Sequence, residues 1–345
     1  MNFASDNTAA IAPEILKAIA TVNEGFVLGY GNDPITRDVE KRLSAFFERE
    51  VAAFLVPTGT AANSLALAHV TPPWSGVLCH ANAHIMTDEC GAPEFFGHGM
   101  KLIGLPGDHG KLQLETITAA ITRYSGRSPH QVNAASVSLT QATEAGTIYR
   151  VEEIEAIAKA AHAAGLKVHV DGARFLNALA RLNVGPAEAT WKAGVDILSF
   201  GATKGGALAA EAVVFFDPKV AAMMPERRKR SGHLFSKHRF LAAQFEAYLA
   251  DDYGLKLARH ANAMADLLAA RLDAAGIRIL WPVEANLVFA AMPKALDAKL
   301  RAAGAAYYVR RSEGLPENEM LVRMVTSFAT RAEEVENFAS LIQKG

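Results

Sequence analysis

Three short stretches carry residue types suited to one kind of chemistry. In Ser199-Phe200-Gly201-Ala202-Thr203-Lys204-Gly205-Gly206 a strand pattern ends and a lysine follows among small residues. Ligands of parallel α/β sheets bind beyond the carboxyl ends of the strands, where small neighbours let a cofactor approach the backbone. A partly desolvated lysine there can be neutral enough to attack an aldehyde. Alone, Lys204 reads more readily as a surface lysine in a glycine turn. In Val168-His169-Val170-Asp171-Gly172-Ala173-Arg174 an aspartate closes another apolar strand, 33 residues before the lysine. That gap is the length of one strand–helix–strand step. The Asp171 carboxylate can pair with a protonated pyridine nitrogen and keep the ring an electron sink, although an Asx turn would use the same residues. In Val56-Pro57-Thr58-Gly59-Thr60-Ala61-Ala62-Asn63-Ser64 a strand runs into a turn that opens an Ala-rich helix. Backbone N–H groups at such a start, with the Thr60 hydroxyl, can hold a phosphate dianion; a simple N-cap competes. No Gly-Lys-Ser/Thr follows at P-loop spacing. Together the stretches place a phosphate site, a pyridinium partner and a nucleophilic lysine each beyond a strand.

The elements that must position them alternate. Strands are expected at Ala53–Val56, Val77–Cys79, Leu102–Leu105, Ala135–Leu139, Lys167–Val170, Ile197–Phe200 and Ala212–Phe216. Amphipathic helices lie between several of them, clearest in Val151–Gly165, where Val151, Ile154, Ile157, Ala158 and Ala161 share a face and Gly165 supplies a stop. Such alternation predicts an α/β fold with a mainly parallel sheet covered on both sides. After Phe216 the texture changes. A basic run at 226–240 precedes a long helical pattern reaching about residue 275, and short strands at Leu287–Ala290 and Leu321–Val325 suit a smaller α+β lobe. The expected division is residues 1–240 for an N-terminal segment and large domain and 241–345 for a small C-terminal domain. No Pro/Gly-rich linker, repeat or low-complexity segment separates them.

The chain has 345 residues, half of them hydrophobic, and a net charge of -1. This is a globular composition with no general attraction to nucleic acid or anionic membrane. Cys79 and Cys90 lack the spacing of a disulfide framework or a metal site. No basic n-region precedes an apolar run at the N-terminus, and no apolar stretch approaches the ~20 residues of a membrane span. These features predict a soluble, cytoplasmic protein with reduced thiols and no metal.

Longer motifs make the pattern specific. The chain resembles the fold-type I pyridoxal phosphate enzymes, and within them the low-specificity L-threonine aldolases of the β-eliminating lyase/threonine aldolase family. The likeness runs through Ala4-Ser5-Asp6-Asn7, Tyr30-Gly31-Asn32-Asp33, Asn63–Leu67, Ala83–Ala92, Gln141-Ala142-Thr143-Glu144, His169–Phe175, Trp191–Asp196 and Phe200–Lys204. It implies a seven-stranded, mainly parallel sheet, with pyridoxal 5'-phosphate held on Lys204 as a Schiff base. By the same resemblance Asp171 pairs with the ring nitrogen, Arg174 contacts the ring's phenolic oxygen, Gly59 and Thr60 hold the phosphate, and His84 stacks on the ring. Ser5 and Arg323 match groups that bind the substrate α-carboxylate, which suits a planar guanidinium. Tyr30 matches a tyrosine that reaches an active site across a subunit interface. His130 falls near a second histidine that contacts the β-hydroxyl. Arg228, in the basic run Glu226-Arg227-Arg228-Lys229-Arg230, matches a phosphate ligand, although a solvated helix face is the simpler reading of that run. Many relatives carry an acidic-Asn-Thr sequence where this chain reads Gln141-Ala142-Thr143-Glu144.

The implied activity is retro-aldol cleavage of L-threonine, L-allo-threonine and related β-hydroxy-α-amino acids to glycine and an aldehyde, acetaldehyde from threonine. His84 or His130 is the candidate base. A homodimer or homotetramer with active sites at the subunit interface is expected. Other reactions of the same cofactor remain open: a preference for phenylserine, β-elimination or transamination. So does a non-catalytic binding protein on the same scaffold.

Overall fold

The computed structural model describes residues 1–126, 128–310 and 314–343. A seven-stranded sheet is built from β1 (Ala52–Val56), β2 (Ser75–His80), β3 (Lys101–Leu105), β4 (Asn133–Thr140), β5 (Lys167–Gly172), β6 (Ile197–Gly201) and β7 (Glu211–Phe215). The order is β1-β7-β6-β5-β4-β2-β3, and only β7 runs against the others. β2, β6 and β7 are buried along their whole length. A sheet covered on both faces needs such continuous apolar strands. All seven expected strands are present, each within two residues of its expected bounds.

The cover follows from sequence. The Val151–Ala163 helix starts with Glu152 and Glu153 in its first turn, and Glu153 accepts from the Arg150 backbone N–H; Gly165, at φ 77°, ends it. Positive φ costs glycine little, so the chain can reverse there into β5. The Gly59–Val70 helix is different. Thr58 caps it through the Ala61 N–H, and its residues from Ala61 to Ala68 are all buried. A helix without a polar face belongs inside the fold, and this one packs against β6 and β7.

A second, antiparallel sheet has the order β10-β11-β9-β8, with β8 (Arg278–Ile279), β9 (Leu287–Pro293), β10 (Tyr308–Arg310) and β11 (Glu319–Val325). Its core joins Leu268 and Leu272 of the Tyr253–Ala274 helix to Val288, Val322 and Phe338. Phe3 lies in this smaller core, tied by Phe3 N–H to Ala306 O at 2.8 Å and Val325 N–H to Phe3 O at 2.8 Å. The Arg239–Leu249 helix, in contrast, puts Leu241, Phe245 and Tyr248 into the larger core. Packing therefore divides the chain differently from 1–240 and 241–345. Phe3 packs with the small lobe while Ala12 and Ile15 join the larger core, and the change of core falls within the Tyr253–Ala274 helix. No helix among the described residues is long and apolar enough to cross a membrane.

Candidate active site

Strand register brings the chemistry-bearing residues to one edge of the large sheet. Thr140 lies opposite Asp171, Asp171 opposite Ser199, and Gly201 and Val56 both opposite Glu211. The carboxyl ends of β1, β5 and β6 thus open onto the same space.

Asp171 is buried at the end of β5. Its Oδ1 accepts from the Ala173 N–H at 3.1 Å and its Oδ2 from Asn63 Nδ2 at 2.9 Å. The same Asn63 nitrogen donates to Glu89 Oε1 at 2.8 Å, and that oxygen lies 2.8 Å from His84 Nδ1. A continuous line of hydrogen bonds therefore joins the strand-end aspartate to His84. The bond to Glu89, against a smaller opposing effect of burial, raises the His84 pKa; burial raises Glu89 as well. With Nδ1 donating to Glu89, Nε2 of a neutral His84 carries the lone pair.

Lys204 follows β6 in the 3-10 turn Thr203–Gly205 and is half-buried. Its charge acts on Asp6, on His84 and on Glu211, which places the amine among these groups. On the side of β1, none of the described residues comes within 4 Å of where a Gly59 Cβ would be, so among them the start of the Gly59–Val70 helix faces open space. Arg228 stands beside it, its Nη1 donating to Leu55 O at 3.2 Å. Among the described residues its buried Nε has no hydrogen-bond partner.

The third side is a cluster of charges. Arg174 Nε donates to Asp6 Oδ2 at 2.7 Å and its Nη2 to Asp6 Oδ1 at 2.9 Å. Asn286 Nδ2 adds a bond to Asp6 Oδ2 at 3.1 Å. Burial alone would raise the Asp6 pKa, but Arg174, Lys204 and Asn286 outweigh it and the net direction is down. Ser5 caps the short turn that carries Asp6, accepting from the Asn7 N–H at 3.2 Å. Arg323, on β11, donates from Nη1 to Ala4 O at 3.4 Å. Burial, with the repulsion of Arg174, pushes Arg323 down to about 10, which still leaves it charged at neutral pH.

The β-eliminating lyase family model matches residues 2–295. The chain belongs to the β-eliminating lyase family. It is 44% identical over 313 residues to a low specificity L-threonine aldolase of Pseudomonas aeruginosa, covering 90% of each chain. A second, from a Pseudomonas species, is 42% identical over 307 residues and covers 89% of this chain and 88% of its own. A solved threonine aldolase of Leishmania major superposes with a TM-score of 0.93 at 29% identity, covering 99% of this chain and 98% of the other.

For this β-eliminating lyase family member the structure brings together Gly59, Thr60, His84, Asp171, Lys204 and Arg228 around the edge of the large sheet, with Ser5, Arg174 and Arg323 at its third side. Arg174 differs from expectation in its partner. Two of its three nitrogens are committed to Asp6 rather than left for a ring oxygen. Tyr30 stands half-exposed at the surface in a left-handed conformation, φ 59°, with Lys229 Nζ 4.7 Å above its ring. His130 is exposed three residues before β4 begins, so it sits at the opposite edge of the sheet from Asp171. The eight residues of β4 span about 25 Å, which removes His130 from the site of its own chain. The physical reason is strand direction, which a motif alignment does not carry.

Asn63, Glu89, Asp6, Asn286 and Glu211 had no assigned role in the sequence reading. The first three stood inside recognisable motifs, where a buried polar side chain flanking a catalytic type was a usable signal. Asn286 and Glu211 carried none. Cys79 and Cys90 are free, and burial pushes Cys79 up to about 12, which leaves it unreactive.

Proposed function

We propose that this protein is a pyridoxal 5'-phosphate-dependent lyase that cleaves the Cα–Cβ bond of L-threonine, L-allo-threonine and related β-hydroxy-α-amino acids. The products are glycine and an aldehyde, acetaldehyde from threonine. The observation that carries this reading is the line Asp171–Asn63–Glu89–His84 beside Lys204, a strand-end carboxylate coupled to a histidine next to a half-buried amine.

The residues present fit the cofactor. The open helix start at Gly59 and Thr60, with the orphaned Arg228 Nε, suits a phosphate dianion. Asp171 suits a protonated ring nitrogen, and Lys204 supplies the amine for attachment. Once bound, the cofactor supplies an electron sink for the pair left on Cα. Arg323 and Ser5 orient the substrate carboxylate. Asp171 keeps the ring nitrogen protonated by opposite charge. His84, its tautomer set by Glu89, accepts the β-hydroxyl proton at Nε2, directly or through water. His130 can contribute only to the site of another copy. In keeping with this reading the protein is cytoplasmic and forms a homodimer or homotetramer, supported by Phe26 and Leu28, which stand exposed next to Tyr30.

The test is a product assay on L-threonine, L-allo-threonine and phenylserine with cofactor-loaded protein. Glycine and aldehyde are expected in equal amounts, with a visible absorbance band that Lys204→Ala abolishes. A colourless wild-type protein, or accumulation of a keto acid with the amine form of the cofactor, overturns the reading.

A further inference from the structure

The Gly59–Val70 helix is buried from Ala61 to Ala68, yet it carries an amide at Asn63. Burying an amide is costly unless its polar atoms find partners. Only one end of this amide does. Its Nδ2 donates to Asp171 Oδ2 at 2.9 Å and to Glu89 Oε1 at 2.8 Å, which uses both of its hydrogens. Among the described residues its buried Oδ1 has no hydrogen-bond partner. Turning the amide over would set that oxygen against two carboxyl groups, so the acceptors dictate the orientation.

The three side chains come from three places in the fold, the helix, the loop after His84 and the end of β5, and all are buried. Glu89 takes the Asn63 bond on Oε1, the oxygen that also lies 2.8 Å from His84 Nδ1, and among the described residues its Oε2 has no partner. Asp171 takes Asn63 on Oδ2 and the Ala173 N–H on Oδ1 at 3.1 Å. Both of its oxygens are therefore pinned, and each retains a second acceptor site. A lysine or arginine at position 63 would also donate, but its charge would offset that of Asp171. A neutral amide holds the carboxylate in place and leaves its charge for a cation from outside the chain.

We propose that Asn63 is a positioning residue for the cofactor: braced on Glu89, its amide fixes the Asp171 carboxylate, charge intact, for the ring nitrogen. This rests on the reading of Asp171 as the partner of that nitrogen and adds the residue that orients it. An amide that only filled space in the helix packing would affect every ligand of the site alike.

The experiment titrates the full chain, stripped of cofactor, with two ligands read by absorbance. One is pyridoxal 5'-phosphate, and the other is its analogue with C–H in place of the ring nitrogen. The ratio of the two dissociation constants isolates the contact at that nitrogen, and Asp171→Asn gives the ratio without the carboxylate charge. Wild-type protein is expected to favour pyridoxal 5'-phosphate by about tenfold or more over that reference, the scale of a hydrogen bond to a charged group. Asn63→Leu, similar in size and apolar like its helix neighbours, is expected to lose most of that preference. Asn63→Ala carries the test should Asn63→Leu not fold. A wild-type ratio retained in folded Asn63→Leu, or in Asn63→Ala where it stands in, overturns the role of Asn63 alone. A wild-type ratio no different from that of Asp171→Asn removes the reading of Asp171, and this role with it.

Discussion

Replacing Asp6 with Asn should be the most damaging single-atom change near the site. The side chains of Arg174 and Asp6 are 4% and 1% exposed, so solvent screens their attraction very little. The substitution leaves the buried guanidinium without its ion-pair partner, with only the more distant charges of Glu144 and Asp171 acting on it, a loss of roughly 3–5 kcal/mol. For 345 residues the unfolding entropy is about 0.7 kcal/mol per kelvin, so Tm should fall by about 4–7 °C. The double variant Asp6→Asn with Arg174→Met removes the stranded charge and should recover most of that fall, because a buried pair replaced as a pair costs little. Circular dichroism melts of cofactor-free protein at one concentration exclude stabilisation by ligand or by mass action. Acid adds a check of sign. The folded-state pKa of Asp6 is depressed, so its contribution is complete above the unfolded carboxylate pKa and lost as pH falls through the folded value. The single variant should therefore lose less stability on acidification than the wild type does. A cost below about 1 kcal/mol, or a double variant no better than the single, would refute the argument that the pair is a desolvated ionic contact.

Two further outcomes follow from the same electrostatics. Glu89→Gln keeps an acceptor for His84 Nδ1 but weakens the carboxylate hydrogen bond that is the first cause of its raised pKa, so the acid limb of the kcat/KM profile should move about one unit lower; a limb that stays in place would show that another group titrates. His169 is fully buried between Ser138 Oγ and Ser199 Oγ, each 2.9 Å away, and burial lowers it to about 4. The unfolded state then binds more protons below the ordinary histidine pKa, so between about pH 7 and 5 this residue should remove about 2 kcal/mol of stability, and urea unfolding of His169→Asn should lack that part of the slope.

Much of the large sheet was legible because its strands are buried on both faces and therefore read as apolar runs with loops between them. Lys204 and Asp171 were legible for a related reason: each stands just past such a run, where side chains leave the core. The small lobe was less so. β8 has two residues and β10 three exposed ones, too little to impose a period. The contacts that fix the site's charges were not legible at all. Asp6 and Arg174 are 168 positions apart, and Asn63 and Asp171 are 108. Sequence spacing carries no information on pairs that only the tertiary fold creates. His130 shows the reverse failure, a residue of suitable type near a suitable motif, displaced because the chain enters β4 from the far edge.

The N-terminal segment links the residues proposed to meet the substrate with those proposed to hold the cofactor. Phe3 is anchored in the small-lobe core, and Ala4 O receives the arginine of β11. Three residues on, Asp6 closes on Arg174 at the end of β5 and on Asn286 just before β9. One short strap therefore touches both lobes and orients both arginines. Burial, and after it the repulsion of Arg174, hold Arg323 below the usual guanidinium range. Asp6 pairs with Arg174 and not with Arg323, which suits the carboxylate-binding role proposed for Arg323. Because Asp6 stands on a strap rather than on either sheet, its bonds to Arg174 and Asn286 tie the end of the large sheet to the start of β9.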